Sequence, residues 1–385
     1  NPVDSTSSPG EKRSPAMREL AAVAIGVVVA LAALGRASVG PETRFDELAL
    51  GASTSSFYAK RGEYPIHCRT LEDADACIRG FRARGGGRVV LWLGNSQLHA
   101  VNQLKPGEET AAAVLSRRLA ASDRDLLTFS QPNANLQEHW LLFSHLRRSL
   151  PVEWLLLPVV FDDLRETGIR AELAPALDKR ETRVGLAASE VGRRILAVNA
   201  EKPADDFAAL AETVQEAVET GMNGWLENHV RLWAQRPELR GRLFSKLHEL
   251  RNATLGITAQ SRRKLIRGRY DLNMAALEAM LDEATANGIR TLVYIVPLRD
   301  DVEVPYDEAE YAQFQSEVEA LAHSRGAAFA NLASIVPGEF WGMKDSTSAS
   351  GQPELDFMHF QASGHAILAR ALGDRLEAEM RRDTR

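Results

Sequence analysis

Five short apolar runs, separated by stretches of helical spacing, constrain this chain more than any other feature. The runs are Arg88 to Leu93, Leu126 to Ser130, Glu153 to Phe161, Thr291 to Pro297 and Ala327 to Leu332. Each is close to continuous in apolar residues rather than alternating, the pattern of a strand buried on both faces. Helices are expected at 108–121, 135–148, 271–287, 307–325 and 362–381. A strand covered on both sides needs a helical layer above and below it, so this rhythm predicts a parallel sheet between two layers of helices.

The fold class read from that order is α/β, a three-layer flavodoxin-like sandwich with a five-stranded parallel sheet. Sites in such sheets lie at the C-terminal ends of the strands. Gly94 to Ser96, Gln131 to Asn135, Asp162 with Asp163, and Leu298 with Arg299 all fall at such ends. About 125 residues with little strand character separate the third run from the fourth, too many for an ordinary crossover. They read as a helical insertion at about 166–287, serving as a lid over the site or as a platform for a partner.

The N-terminus has a different character. Lys12, Arg13 and Arg18 precede an uncharged apolar run from Leu20 to Gly35, closed by Arg36. Sixteen helical residues span ~24 Å, a little under a bilayer's hydrocarbon core. The run reads as an uncleaved membrane anchor or as the apolar region of a cleavable signal peptide. Basic residues on its N-terminal side place that end in the cytoplasm and the rest outside. The expected organisation is therefore a cytoplasmic tail and anchor or signal segment over 1–40, a linker over 41–70, and the α/β domain over 71–385. Within that domain, Leu71 to Arg84 has helical spacing and is ended by Gly85-Gly86-Gly87, a turn before the first strand. Cys68 and Cys77, nine positions apart, are the only cysteines. On the extracytoplasmic side they suit a local disulfide, two unpaired thiols being the alternative.

Net charge is −6 and the positive residues are scattered, which excludes a nucleic-acid footprint. The densest basic stretch, Arg262-Arg263-Lys264 with Arg267 and Arg269, reads as a solvated helix face. Two sulfurs with only His67 nearby fall short of a tetrahedral metal set, and His139 and His145 do not share a helix face well enough for a metal pair. No metal and no organic cofactor is expected. No G-x-G-x-x-G follows a strand, so a dinucleotide site is set aside.

Two motifs about 260 positions apart carry chemistry. Gly94-Asn95-Ser96-Gln97 follows the first strand, and Asp356-Phe357-Met358-His359 precedes the last helix. A serine hydroxyl is a weak nucleophile until a base removes its proton, and it must protrude to reach an ester. A strand-to-helix turn supplies protrusion and frees backbone N–H groups for an oxyanion. Three positions apart in a turn or first helical turn, Asp356 can approach His359 Nδ1 and aim Nε2 at the serine. Asp356 as a cap of the following helix is the bland alternative. His99, three positions after Ser96, would share its side in a helical turn, as a substrate contact or a polar helix-face residue. Gln97 and Asp162 are further candidate substrate contacts.

These blocks resemble the SGNH (GDSL-like) hydrolase superfamily over about 88–165 and 288–375. Leu93-Gly94-Asn95-Ser96-Gln97 matches the first block with Asn95 in place of the usual Asp, and Asp356-x-x-His359 matches the last. The middle blocks depart. Gln131-Pro132-Asn133-Ala134-Asn135 stands where an oxyanion-hole glycine is usual, and Val160-Phe161-Asp162-Asp163 stands in place of Gly-x-Asn-Asp. An Asp carboxylate repels a developing oxyanion, so the oxyanion role is expected to move to the Ser96 N–H with Asn133 or Asn135. The apolar N-terminal segment, Gly94-Asn95-Ser96-Gln97-Leu98 and Gly364-His365 resemble a membrane-anchored branch: the D-alanyl-lipoteichoic acid transfer protein family and accessory proteins of polysaccharide O-acetylation. The resemblance implies an extracytoplasmic serine esterase or O-acyltransferase acting on acyl esters of envelope glycans or polymers. A membrane-bound O-acyltransferase is the implied partner. The alternative is an inactive scaffold or binding subunit of the same kind of complex.

Overall fold

A computed structural model describes residues 56–57, 59–69, 71–101, 104–105, 107–200, 263–344 and 354–382. The apolar run Leu20 to Gly35, and the helical stretches Phe207 to Val218 and Trp225 to Gln235, lie outside the described residues. Among the described residues, no helix is long and apolar enough to cross a membrane.

The architecture is the α/β sandwich, with six parallel strands among the described residues rather than five. They are β1 (His67–Cys68), β2 (Arg88–Gly94), β3 (Arg124–Ser130), β4 (Val152–Val159), β5 (Arg290–Ile295) and β6 (Ala328–Asn331). Their spatial order is β6-β5-β4-β2-β3-β1, every neighbouring pair parallel. Without β1, this is the flavodoxin-like order. The additional strand was illegible for a simple reason: two residues are too few to show a period, and only the register His67 to Thr128 and Cys68 to Phe129 makes them a strand.

Successive side chains on a strand point to opposite faces. Val89, Leu91 and Leu93 of β2 pack into one core, while Val90 and Trp92 pack into the other. The first core is covered by α1 (Leu71–Ala83), α3 (Leu136–Leu146), α6 (Arg267–Ala286) and α7 (Glu308–Ser324). The second lies under α2 (Ala111–Ala120) and α8 (Ala362–Arg382). Leu91, with no exposed surface, contributes on the order of 1.5–3 kcal/mol by its burial. The indole N–H of Trp92 donates to the Tyr294 hydroxyl at 3.0 Å, so this deep side chain leaves no polar atom unmet.

Among the described residues between β4 and α6 are two short helices, α4 (Arg180–Ala187) and α5 (Glu190–Ala200). Helix α6 is part of the sandwich, since Tyr270, Ala276, Leu277, Met280, Leu281 and Ala284 enter the first core. Cys68 of β1 and Cys77 of α1 are joined by a disulfide with Cα atoms 6.5 Å apart, tying the edge strand to its helix.

After β6 comes a hairpin, β7 (Trp341–Lys344) paired antiparallel with β8 (Glu354–Phe360), separate from the main sheet. Asp356 and His359 therefore lie on a strand, not in a turn or a first helical turn. Helix α8 begins only at Ala362.

Candidate active site

Strand β2 ends at Gly94, and the chain turns at once. A Cβ added to Gly94 would lie 2.3 Å from Leu98 Cδ1, so glycine is what lets the turn fold back against its own strand end. The turn is a single 3-10 element, Ser96–Leu98, rather than the start of a longer helix. Two backbone bonds close it, Leu98 N–H to Asn95 O at 3.2 Å and His99 N–H to Ser96 O at 2.9 Å. Asn95 caps it: its Oδ1 accepts the Gln97 N–H at 3.0 Å while its Nδ2 donates to Asp163 Oδ2 at 2.9 Å. Gln97 Nε2 donates to the Pro297 carbonyl at 2.9 Å, fastening the same turn to the end of β5. The turn thus sits where β2 borders β4, the switch point of the sheet order.

The second motif arrives from the hairpin. His359 Nδ1 lies 2.6 Å from Asp356 Oδ2, and His359 Nε2 lies 3.1 Å from Ser96 Oγ. With Nδ1–H given to the carboxylate, Nε2 is left as the acceptor for the serine hydroxyl. The other carboxylate oxygen, Oδ1, accepts the N–H groups of Met358 at 2.8 Å and His359 at 3.2 Å. The Asp356 side chain therefore folds back on its own strand and does not cap α8. All three residues are buried, at 6%, 2% and 5% exposure for Ser96, Asp356 and His359, so their contacts are shielded from bulk water.

Arg299, from the loop after β5, holds the hairpin. Its Nη1 donates to Gly342 O at 3.0 Å and to Asp356 O at 3.3 Å, one carbonyl on each hairpin strand. The opposite edge of the guanidinium grips Asp301 through Nε and Nη2, at 2.5 and 3.0 Å. Asp301 in turn packs beside Gly338, where an added Cβ would fall 2.3 Å from its Cγ.

The other predicted positions have varied surroundings. Asn135 spends its whole amide on structure: Oδ1 accepts from Gln137 and Glu138 at the start of α3, and Nδ2 donates to Gly168 O at 3.0 Å. Asn133 is exposed, with φ +51°, a left-handed conformation that Asn tolerates better than most residues. Asp162 does not stand as a bare charge. Arg263 pairs with it, the Tyr306 hydroxyl donates to Oδ2 at 3.1 Å, and Arg165 approaches Oδ1 at 3.7 Å. Arg263 also lies over the Phe357 ring at 5.4 Å, bringing it to the hairpin that carries Asp356.

His99 is not on a helix face, because the turn ends at Leu98. It is extended and buried, with Nε2 2.8 Å from Ser130 Oγ.

Several residues of the site were missed. Asp163 is buried against Asn95, and burial pushes its carboxyl well above the usual range, favouring the protonated form. Its signals were its place at the end of the third apolar run and in the Val160-Phe161-Asp162-Asp163 block. His67 lies 2.5 Å from Ser130 Oγ, and its ring centre is 5.4 Å from that of His99. Burial, with the His365 and Arg69 charges, pushes His67 down to about 3. Burial and His359 push His365 down to about 3 as well, and His99 falls well below the ordinary histidine value for the same first reason. These histidines are neutral at physiological pH. Among the described residues, no group of three or more His, Cys, Asp or Glu side chains is arranged to hold a metal ion.

No family model matches this sequence, and no curated protein matches it. Among solved structures it is similar to a mutant of an acetyl-xylooligosaccharide esterase from Geobacillus stearmophilus, at 10% identity and TM-score 0.36, over 75% of this chain and 94% of that one. A GDSL-like lipase from Bacteroides thetaiotaomicron is similar at 10% identity and TM-score 0.33, over 78% and 98%. A carbohydrate esterase family 2 enzyme with a carbohydrate-binding domain, from Corynascus thermopiles, is similar at 10% identity and TM-score 0.34, over 75% and 67%. These likenesses are distant, and the chemistry of the site stands on its own distances.

Proposed function

We propose that this chain is an SGNH-type serine esterase or O-acyltransferase acting on acyl esters, chiefly acetyl esters, of envelope glycans or polymers. The observation that carries the reading is the continuous line from Ser96 Oγ to His359 Nε2 at 3.1 Å and from His359 Nδ1 to Asp356 at 2.6 Å. In this scheme His359 takes the Ser96 proton as Oγ bonds to the acyl carbonyl carbon. The carbonyl becomes an oxyanion, held by the Ser96 N–H and by Asn133, whose side chain is exposed beside the strand end. His359 then returns its proton to the departing alkoxide, leaving an acyl-serine. Water as acceptor gives hydrolysis; a glycan or polymer hydroxyl gives transfer. Asp356 keeps the imidazole in one tautomer and offsets its charge throughout. The scheme needs no metal and no organic cofactor.

The basic, apolar N-terminal segment supports a site outside the cytoplasm, tethered by residues 1–40, with a membrane-bound O-acyltransferase as partner. The Cys68–Cys77 disulfide supports an oxidising compartment.

The test is covalent labelling of the protein with a serine-directed fluorophosphonate, mapped by mass spectrometry. We expect one adduct on Ser96, lost in Ser96→Ala and in His359→Ala. A protein that neither labels nor turns over an aryl acetate would favour the inactive scaffold instead.

A further inference from the structure

Three buried groups beside the nucleophile have no part in the scheme above. Ser130 closes β3, directly opposite Gly94 in the sheet register, and its hydroxyl lies between two imidazoles. His67 Nε2 is 2.5 Å from Ser130 Oγ and His99 Nε2 is 2.8 Å from it. All three side chains are at 2% exposure or less. One hydroxyl proton cannot serve two ring nitrogens, so at least one of the two imidazoles gives its Nε2–H to Ser130 Oγ. The tautomers of both histidines are thereby tied to a single oxygen.

The two ends of this bridge sit on different parts of the fold. His99 follows the nucleophile turn directly, and its own N–H closes that turn on Ser96 O at 2.9 Å. His67 sits on β1, a strand of two residues at the edge of the sheet. Its neighbour Cys68 is bonded to Cys77 of α1. Such a short edge strand has few ladder bonds to hold it, and the disulfide supplies a covalent tether. The path from α1 to the serine thus runs through Cys77, Cys68, His67, Ser130 and His99.

We propose that His99, Ser130 and His67 are positioning residues that fix the Ser96 turn against the end of β3, and that the Cys68–Cys77 disulfide anchors the outer histidine. The inference rests on Ser96 as nucleophile for its effect on rate, but not for its effect on the turn. Two readouts keep these apart. The first is hydrogen exchange at the Leu98 and His99 amides, whose bonds close the turn. The second is kcat and KM for an aryl acetate, with the rate of fluorophosphonate labelling.

In Ser130→Ala we expect both amides to exchange at least tenfold faster. We expect kcat to fall about tenfold with KM within twofold, as follows when a group loses orientation rather than affinity. Ser130→Thr, which keeps the hydroxyl, should recover most of both. His67→Ala should act in the same direction, and the paired Cys68→Ser and Cys77→Ser variant more weakly. Unchanged amide exchange in Ser130→Ala and His67→Ala overturns the proposal, whatever the activity. Faster exchange with unchanged kcat also overturns it, because the turn would then be free to move without consequence. If the wild-type protein does not label while Ser130→Ala still speeds exchange, the nucleophile assignment falls and the bridge stands.

Discussion

The two walls of the site are held by different means. The Ser96 turn leaves β2, which has neighbours on both sides in the sheet, and its polar atoms are tied to Asp163, Pro297 and Ser130 through Asn95, Gln97 and His99. The wall carrying Asp356 and His359 is a hairpin whose strands, among the described residues, pair with each other and not with the main sheet. It is moored by the Arg299 guanidinium and by its own apolar side chains, Phe357 entering the first core and Trp341 with Phe360 the second. Ser96 is therefore placed by a central strand of the sheet, and His359 by a separate hairpin fastened to both cores and to Arg299. A disturbance on the first wall should register in stability as well as in rate, and one on the second chiefly in rate.

The largest expected effect lies where the walls meet. Ser96→Ala should remove turnover by at least ~10⁴-fold, and Asp356→Asn, which disturbs the imidazole tautomer, should cost ~10⁴-fold in kcat. Steady-state hydrolysis of an aryl acetate measures both. A small loss in Asp356→Asn would break the picture of the hairpin as the base's mount.

Arg299→Ala tests the clasp itself. It removes donors to both hairpin strands while Asp301 stays solvated, so kcat should fall about 10- to 100-fold with little change in KM. Guanidinium ion in the buffer should restore part of the rate. Arg299→Lys should not substitute, since an ammonium cannot reproduce the planar fork. Full activity in Arg299→Ala would mean that the hairpin holds its register unaided.

On the other wall, Gly94→Ala drives a methyl group into Leu98 and should cost about 1–3 kcal/mol. A thermal melt reads this directly. A neutral result would show that the turn relaxes without loss and would erase the contrast between the walls.

A further effect is in acid. His67, His139 and His365 are pushed down to about 3 mainly by burial. The unfolded chain binds their protons below about pH 6.5 and the folded chain does not, so their share of stability is complete above that pH. It is lost progressively as pH falls toward about 3. Asp163 acts oppositely, because its raised carboxyl favours the fold when protonated and loses that share as pH rises. Melting temperature should therefore fall as pH drops below about 6.5, less steeply than the histidines alone dictate. A midpoint that stays flat on acidification would mean that these imidazoles are wet.

Much of the fold was legible because its signals are local. A run such as Val89-Val90-Leu91-Trp92-Leu93 is buried on both faces whatever lies beside it, so all five apolar runs became strands. The helix pattern from Leu71 to Arg84 and the one at 135–148 emerged within two residues of the expected ends, as α1 and α3. Short motifs singled out Ser96, Asp356 and His359, but their distances were not in those motifs. The helix face expected for His99 vanished because the turn closed after three residues.

By itself, the sequence determined the layers, the strand ends and the chemical types gathered there, since burial and turn chemistry act over a few residues. The tertiary structure alone decided which groups meet. Asn135 looked like a free amide until the start of α3 and Gly168 engaged its whole side chain. Asp162 looked like an exposed negative charge until Arg263, 101 positions later, paired with it. Ser96 and His359 are 263 positions apart, and only the sheet and the hairpin bring Oγ and Nε2 to 3.1 Å. Hydrogen bonds depend on distances that no local pattern encodes, and a long-range contact exists only once the whole chain has closed around it.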